Sequence, residues 1–310
     1  MDFNDITRAA QLACILEVSA HPKPGNVHRT ADFDVMKFEH FLASAIAIGP
    51  PILEVTRRGF EAAEERIEIP EIGIGNTIKN AIDETAEWQS NGNTNLGILM
   101  LITPISAAAG MTLAKELKVS KTGLRENLSE ILKATTPEDA VNTYDAIIAV
   151  NPEGIGEVED LDVKSESSRK KIMEEKISLY DIMKIASKRD NIAKEWVTNM
   201  EITFKFGYPL IEKIHMDTSS INTATVQTFL EILAKYPDTF IQRVHGKDVA
   251  KEVSKSAKEI LDEGGITTSK GRALNLKLDA DLRNRKINPG TTADLTASSL
   301  MLATLNGLRP

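Results

Sequence analysis

The chain has 310 residues, enough for one large domain or two ordinary ones, and its 42% hydrophobic content suffices for a buried core. Against 45 acidic residues stand 37 basic ones, for a formal charge of −8. No basic tract is longer than Arg169-Lys170-Lys171, which argues against a general nucleic-acid binder. The single cysteine, Cys14, excludes an internal disulfide, and the five scattered histidines show no zinc-site spacing.

The chain opens Met1-Asp2-Phe3-Asn4-Asp5, acidic where a secretory leader would be basic, so a cytoplasmic protein is expected. Apolar residues then recur at three- and four-residue spacing almost everywhere, and strict alternation is hard to find, so the whole chain reads as helix. Cys14 falls among apolar residues of the first helical pattern and is expected to pack in the core. That pattern stops at His21-Pro22-Lys23-Pro24-Gly25-Asn26-Val27-His28. Two prolines fix the backbone there and hold Lys23 on an extended loop, while Gly25 allows a turn or the close approach of a ligand. Two readings follow: a polyphosphate contact through Lys23, or an ordinary helix-ending turn.

Further along, Leu96–Met111 is strongly apolar but shorter than the roughly 20 residues a bilayer needs, and Pro104 interrupts it. A helix buried inside the protein is expected, not a membrane span. Asn91-Gly92-Asn93-Thr94-Asn95-Leu96-Gly97 leads into it, with amides and a hydroxyl that cap the helix or line a site. Thr136-Pro137-Glu138-Asp139 reads as a helix start with Thr136 as cap. Gly154–Ser168 is polar and acidic, a solvated surface loop or a linker. Tyr180–Ser187, Ile192–Ile214, Ile221–Tyr236 and Val249–Leu261 are the clearest amphipathic helices. The final helix opens at Asn288-Pro289-Gly290-Thr291-Thr292-Ala293-Asp294. Thr291 can cap it, with Asp294 three residues on, or the free N–H groups of Gly290, Thr291 and Thr292 can hold an anion. No Walker-A pattern is present. The architecture expected is all-α, a single domain over 1–310 of about a dozen helices.

Several blocks in order carry a family resemblance: Glu17-Val18-Ser19-Ala20-His21-Pro22-Lys23-Pro24-Gly25, Asn93-Thr94-Asn95-Leu96-Gly97, Arg189 to Glu195, Pro237-Asp238-Thr239, and Asn288 to Leu295. Together they resemble the triphosphoribosyl-dephospho-CoA synthases. The resemblance implies an all-helical pentosyltransferase that moves the triphosphoribosyl group of ATP onto a ribose hydroxyl of dephospho-CoA and releases adenine. Where bacterial members usually read Asn-Thr-His-Lys-Gly, this chain has Asn95 and Leu96 at the third and fourth places. Their Pro-Gly-Gly-Ser-Ala-Asp is here Pro289-Gly290-Thr291-Thr292-Ala293-Asp294.

Breaking a bond at ribose C1 passes through an oxocarbenium-like state and needs a base for the incoming hydroxyl and charge cover for the triphosphate. Glu17, Asp32 and Asp294 are the candidate carboxylates, each also readable as a cap or surface acid. Lys23, Gly25, Asn26, Asn93, Asn95, Gly290, Thr291 and Thr292 are the expected nucleotide contacts, and Arg243 either meets a phosphate or pairs on the surface. Mg²⁺ is expected with the ATP substrate, with Asp190 and Asp238 as its ligands, direct or through water. The partners expected are small nucleotides, with no nucleic acid and no membrane, and a homo-oligomer stays open. The loops at 21–28, 91–96 and 288–292 are expected to converge on one cleft. Two other readings stand beside this one: a noncatalytic nucleotide-binding accessory protein, and a nucleotide-dependent transferase of a different coenzyme pathway.

Overall fold

Helices carry the regular structure, as the three-and-four spacing requires. Among the described residues the extended pairings are two isolated bridges, His28 with Ala31 and Phe33 with Met36. The computed structural model describes residues 1–33, 35–90, 92–116, 119–150 and 161–310. The acidic segment expected at 154–168 therefore lies outside the described residues up to residue 160, as do Asp34 and Asn91. In chain order the first helices are α1 (Phe3–Ser19), α2 (Phe38–Ala47), α3 (Gly49–Ala63), α4 (Ile74–Trp88) and α5 (Leu96–Glu116). Next come α6 (Lys121–Lys133), α7 (Pro137–Val150), α8 (Glu166–Glu174), α9 (Leu179–Ala186) and α10 (Asn191–Val197). The last are α11 (Tyr208–Thr218), α12 (Ile221–Lys235), α13 (Thr239–His245), α14 (Lys247–Asp262), α15 (Ser269–Asn284) and α16 (Gly290–Leu305).

The chain forms two compact units. The first comprises Met1–Gln11 and Ala43–Met200, the second Leu12–Leu42 and Glu201–Pro310.

In the first unit α5 is the central helix, packed by α3, α4, α6 and α10. Its apolar stretch is 89% buried, as a core helix requires. A second stretch, Phe38–Ala63, also reaches membrane-like length and hydropathy, but it joins two helices and is 44% buried. The tight crossing of α3 and α5 depends on glycine. A Cβ on Gly59 would overlap the Ala107 carbonyl, and one on Gly110 would overlap the Thr56 carbonyl, so the two backbones touch directly. Trp196 of α10 fixes its indole by donating to the Met100 carbonyl at 2.9 Å. The start of α7 is the box expected from its sequence: Asp139 N–H donates to Thr136 Oγ1 and Thr136 N–H donates to Asp139 Oδ2.

The run expected as one helix over 192–214 is broken. Asn199 and Met200 adopt φ of 55° and 53°, a left-handed pair that ends α10. Arg125 holds the break by donating to the Asn199 carbonyl, and Asn199 Nδ2 donates back to the Arg125 carbonyl.

In the second unit α12 is central, packed by α11, α14 and α16. Phe229, Leu230, Leu233, Val253, Ile260 and Leu282 build its apolar core. Burying each such side chain contributes about 1.5–3 kcal/mol. A π-helical turn, Thr203–Gly207, lies against α16 through small groups: Thr203 and Ser298 share a hydroxyl hydrogen bond of 2.8 Å.

Candidate active site

The loop after α1 is bonded on every side within the second unit. Lys23 is fully buried, and its ammonium donates to the Glu17 carboxylate and, at 3.0 Å, to Asn26 Oδ1. Asn26 Nδ2 in turn donates to Asn288 Oδ1 at 2.9 Å, which ties the loop to the residues that open α16. The expected presentation of Lys23 on an open loop is thus corrected. The prolines shape the loop as anticipated, but they fold the lysine inward onto the end of α1. Burial pushes the Glu17 carboxyl up and the Lys23 ammonium down, so each depends on the other to remain charged. Cys14, on the same helix, is buried, and burial pushes its thiol up to about 12.

One face of α15 grips the same loop. Asn275, Asp279 and Arg283 stand four residues apart and so share a stripe of the helix. Asn275 Nδ2 donates to the Pro22 carbonyl at 2.8 Å. Asp279 Oδ1 accepts the Gly25 N–H at 2.9 Å, and its Oδ2 meets His28 Nε2 at 3.4 Å. Arg283 donates to the carbonyls of Asn26 and Asp32 and, through Nε, to Asp279. Burial works to raise the Asp279 carboxyl, but His28, the Gly25 N–H and Arg283 outweigh it and hold the group below its usual value. Gly25 has φ +72°, and a Cβ there would come within 2.5 Å of the Ile287 carbonyl. The glycine is therefore needed for close backbone packing, whatever its distance from a ligand.

At the start of α16 the Thr291 hydroxyl and the N–H groups of Gly290 and Thr292 have other partners. Thr291 does not close a capping box with Asp294; its hydroxyl accepts from Phe240 N–H and Thr239 Oγ1 of α13. Thr292 gives both its N–H and its hydroxyl to Asp238 Oδ2, while Gly290 N–H donates to the Asn288 carbonyl. Asp238 Oδ1 accepts from Phe240 and Ile241 N–H, so one fully buried carboxylate joins the N-terminal ends of α13 and α16. Burial raises its carboxyl, against the pull of these donors. Arg243 is exposed and lies over the Phe240 ring, 5.2 Å from its centroid. Asp294, in the first turn of α16, is half-buried and close enough to act electrostatically on Lys23 and Cys14. Asp32 is exposed, and its carboxylate accepts the Phe38 N–H that begins α2. Of the three candidate carboxylates, Glu17 thus pairs with Lys23 and Asp294 acts on it electrostatically, while Asp32 is occupied at the start of α2.

Asn93, Asn95 and Asp190 belong to the first unit. Asn93 Oδ1 accepts the Leu96 N–H and caps α5. Asn95 is buried; its Nδ2 donates to Thr85 Oγ1 at 3.1 Å, and its Oδ1 is buried with no partner. Asp190 Oδ1 caps α10 through the N–H groups of Ile192 and Ala193. Of the two expected metal ligands, Asp238 has both carboxylate oxygens engaged at helix ends, and Asp190 has Oδ1 so engaged. No group of three or more His, Cys, Asp or Glu among the described residues is placed to hold a metal ion.

Sequence reasoning missed the α15 stripe and its partner His28. An Asp279–Arg283 pair at helical spacing is indistinguishable from a solvated surface pair until the loop is seen against it.

The profile of the family described as ATP:dephospho-CoA triphosphoribosyl transferase matches residues 3–310. A Photobacterium profundum protein described as "Probable 2-(5''-triphosphoribosyl)-3'-dephosphocoenzyme-A synthase" is 23% identical over 96% of this chain and 86% of its own length. A Vibrio cholerae protein of the same description is 22% identical over 94% of this chain and 84% of its own. The crystal structure of a "putative triphosphoribosyl-dephospho-coA synthase" from Archaeoglobus fulgidus superposes with a TM-score of 0.66 at 27% identity, covering 88% of this chain and all of the other. With a match across nearly its whole length and an all-α fold shared with a solved relative, this chain belongs to the ATP:dephospho-CoA triphosphoribosyl transferase family, a family of pentosyltransferases.

Proposed function

We propose that this protein transfers the triphosphoribosyl group of ATP to a ribose hydroxyl of dephospho-CoA in the second unit, with Asp294 as the base. The observation that carries this reading is the buried Glu17–Lys23 pair on the loop that α15 pins, with Asp294 acting on it electrostatically. The acceptor hydroxyl gives its proton to Asp294 and its oxygen bonds to ribose C1. The bond from C1 to the adenine nitrogen breaks, and adenine leaves with the electron pair and takes up a proton, while Asp294 returns its proton to solvent. Lys23 keeps Glu17 charged and fixes the loop. Mg²⁺ comes with the triphosphate of the substrate, in keeping with its habit of binding few protein carboxylates plus phosphate oxygens. Since the family match runs through both units, we take the whole chain as one catalytic domain, and nucleotide substrates of this kind support a cytoplasmic reading.

Incubation with ATP, Mg²⁺ and dephospho-CoA is expected to yield adenine and the triphosphoribosylated acceptor, with no ADP. Formation of ADP, or no adenine at all, would overturn the reading. Asp294→Asn is expected to lower kcat with stability little changed.

A further inference from the structure

Lys23 is enclosed by Glu17 and Asn26, and the N–H groups of Gly290 and Thr292 are engaged by the Asn288 carbonyl and Asp238. The same loop presents another cation. Arg29 stands with Thr30 at the tip of a tight turn closed by two hydrogen bonds, His28 N–H to the Ala31 carbonyl at 3.0 Å and Ala31 N–H to the His28 carbonyl at 2.9 Å. The root of that turn is immobilised, because His28 is buried and meets Asp279. The Arg29 side chain is exposed, and no carboxylate among the described residues pairs with it. Its guanidinium instead meets His21 Nδ1 at 3.2 Å.

This bond fixes the imidazole tautomer. An arginine can only donate, so Nδ1 accepts and Nε2 carries the proton. His21 is itself held at both backbone groups by one side chain: its N–H donates to Asn222 Oδ1, and its carbonyl accepts from Asn222 Nδ2, each at 2.9 Å. A planar guanidinium beside a ring N–H, both on anchored backbone, matches the oxygens of a phosphoanhydride. In a chain of net charge −8, an arginine that no carboxylate among the described residues pairs, held in place by an imidazole, is a directed positive charge.

We propose that Arg29 and His21 form the phosphoanhydride subsite of the second unit. The inference rests on the proposed reaction, whose two substrates both carry such a chain: the triphosphate of the donor and the diphosphate of the acceptor.

Titration calorimetry of the full chain and of Arg29→Ala, with Mg-ATP, with dephospho-CoA and with inorganic tripolyphosphate, tests it. Loss of a charge-assisted contact is expected to weaken binding on the order of ten- to a hundredfold for one substrate, and the substrate affected identifies which chain the subsite holds. Arg29→Lys, which keeps the charge and loses the fork, is expected to recover part of the affinity, and adenosine binding is expected to be unchanged. Because Arg29 is exposed, the melting temperature is expected to hold, so a loss of affinity cannot be assigned to misfolding. Unchanged affinity for both substrates and for tripolyphosphate overturns the subsite, as does failure of the unmodified chain to bind any of the three. Adenine release measured on the same samples tests the reaction separately. Release by the parent with an unaltered Arg29→Ala titration removes the subsite alone, whereas a weakened titration without release keeps the subsite and removes the reaction.

Discussion

The loop of the second unit and the loop that opens α5 in the first unit share a vocabulary of Asn, Thr and Gly beside an apolar helix, yet they use it differently. In the second unit, Asn26 joins Lys23, Asn288 and Arg283, and Asp238 accepts from two helix ends at once. At α5, Asn93 caps the helix, Thr94 meets Ser44 at 2.6 Å, and Asn95 is left with a buried, unpaired acceptor. A buried polar group without a partner costs roughly 1–3 kcal/mol, so the two loops differ in energy as well as in pattern. A polar loop beside an apolar helix is a cue to look; only the partners decide whether it is a frame or a site.

The strongest way to break the contrast is at Lys23. Substituting Lys23→Met leaves the Glu17 carboxylate buried and alone, and removing one member of a buried pair costs about 3–5 kcal/mol. The urea midpoint should fall accordingly. The double variant Glu17→Gln/Lys23→Met should recover most of the loss, because an apolar or neutral replacement of both partners is far less costly than an orphaned charge. A single variant that loses less than about 1 kcal/mol would show that water reaches Glu17 and that the network is not sealed. This expectation differs from the sequence reading of Lys23 as a polyphosphate contact on an extended loop.

The second handle is pH, through His28. Burial lowers the affinity of its ring for a proton, opposed by Asp279 and reinforced by Arg283 and Lys23. The neutral ring donates from Nε2 to Asp279 and accepts at Nδ1 from the Thr30 hydroxyl at 3.0 Å. The sign follows from linkage. Below about pH 6.5 the unfolded chain takes up a proton on this histidine while the folded one does not, so the unfolded state gains. Stability contributed by His28 is therefore full above that pH and is lost as pH falls toward the depressed folded value. Denaturation midpoints measured from pH 7.5 to 5 should decline in the parent and decline less in His28→Gln. Equal slopes in the two would mean that the ring is wet in the folded state. Asp279 adds a later loss, because its carboxyl is held low and its contribution disappears only under more acid conditions.

Much of the fold was legible because it is local. Helical spacing marked the helices, and Thr136 and Asp139 formed the start that four adjacent residues predict. The break at Asn199 and Met200 was not legible, since Arg125, on a different helix, stabilises it. The candidate site was legible as loops but not as bonds. Glu17 and Lys23 were both visible as charged residues near a helix end, yet the depth of their burial depends on α15 and Asn288, which approach from far along the sequence. Arg29 attracted no notice beside His28, because an isolated surface arginine carries no pattern.

The smallest expected effect is at Asn95, and it sharpens the comparison most finely. Asn95→Ala removes the unpaired Oδ1, which is a gain, and removes the Nδ2 hydrogen bond to Thr85, which is a loss. Each is worth on the order of 1 kcal/mol, so the net change in stability is expected to stay within about 1 kcal/mol of zero. The same truncation at Asn26, whose amide is bonded at both ends, has no such compensation and should cost clearly more. Chemical denaturation of the two alanine variants side by side reads the difference directly. If Asn95→Ala proves as damaging as Asn26→Ala, the α5 loop is as fully bonded as the loop after α1, and the distinction between them fails.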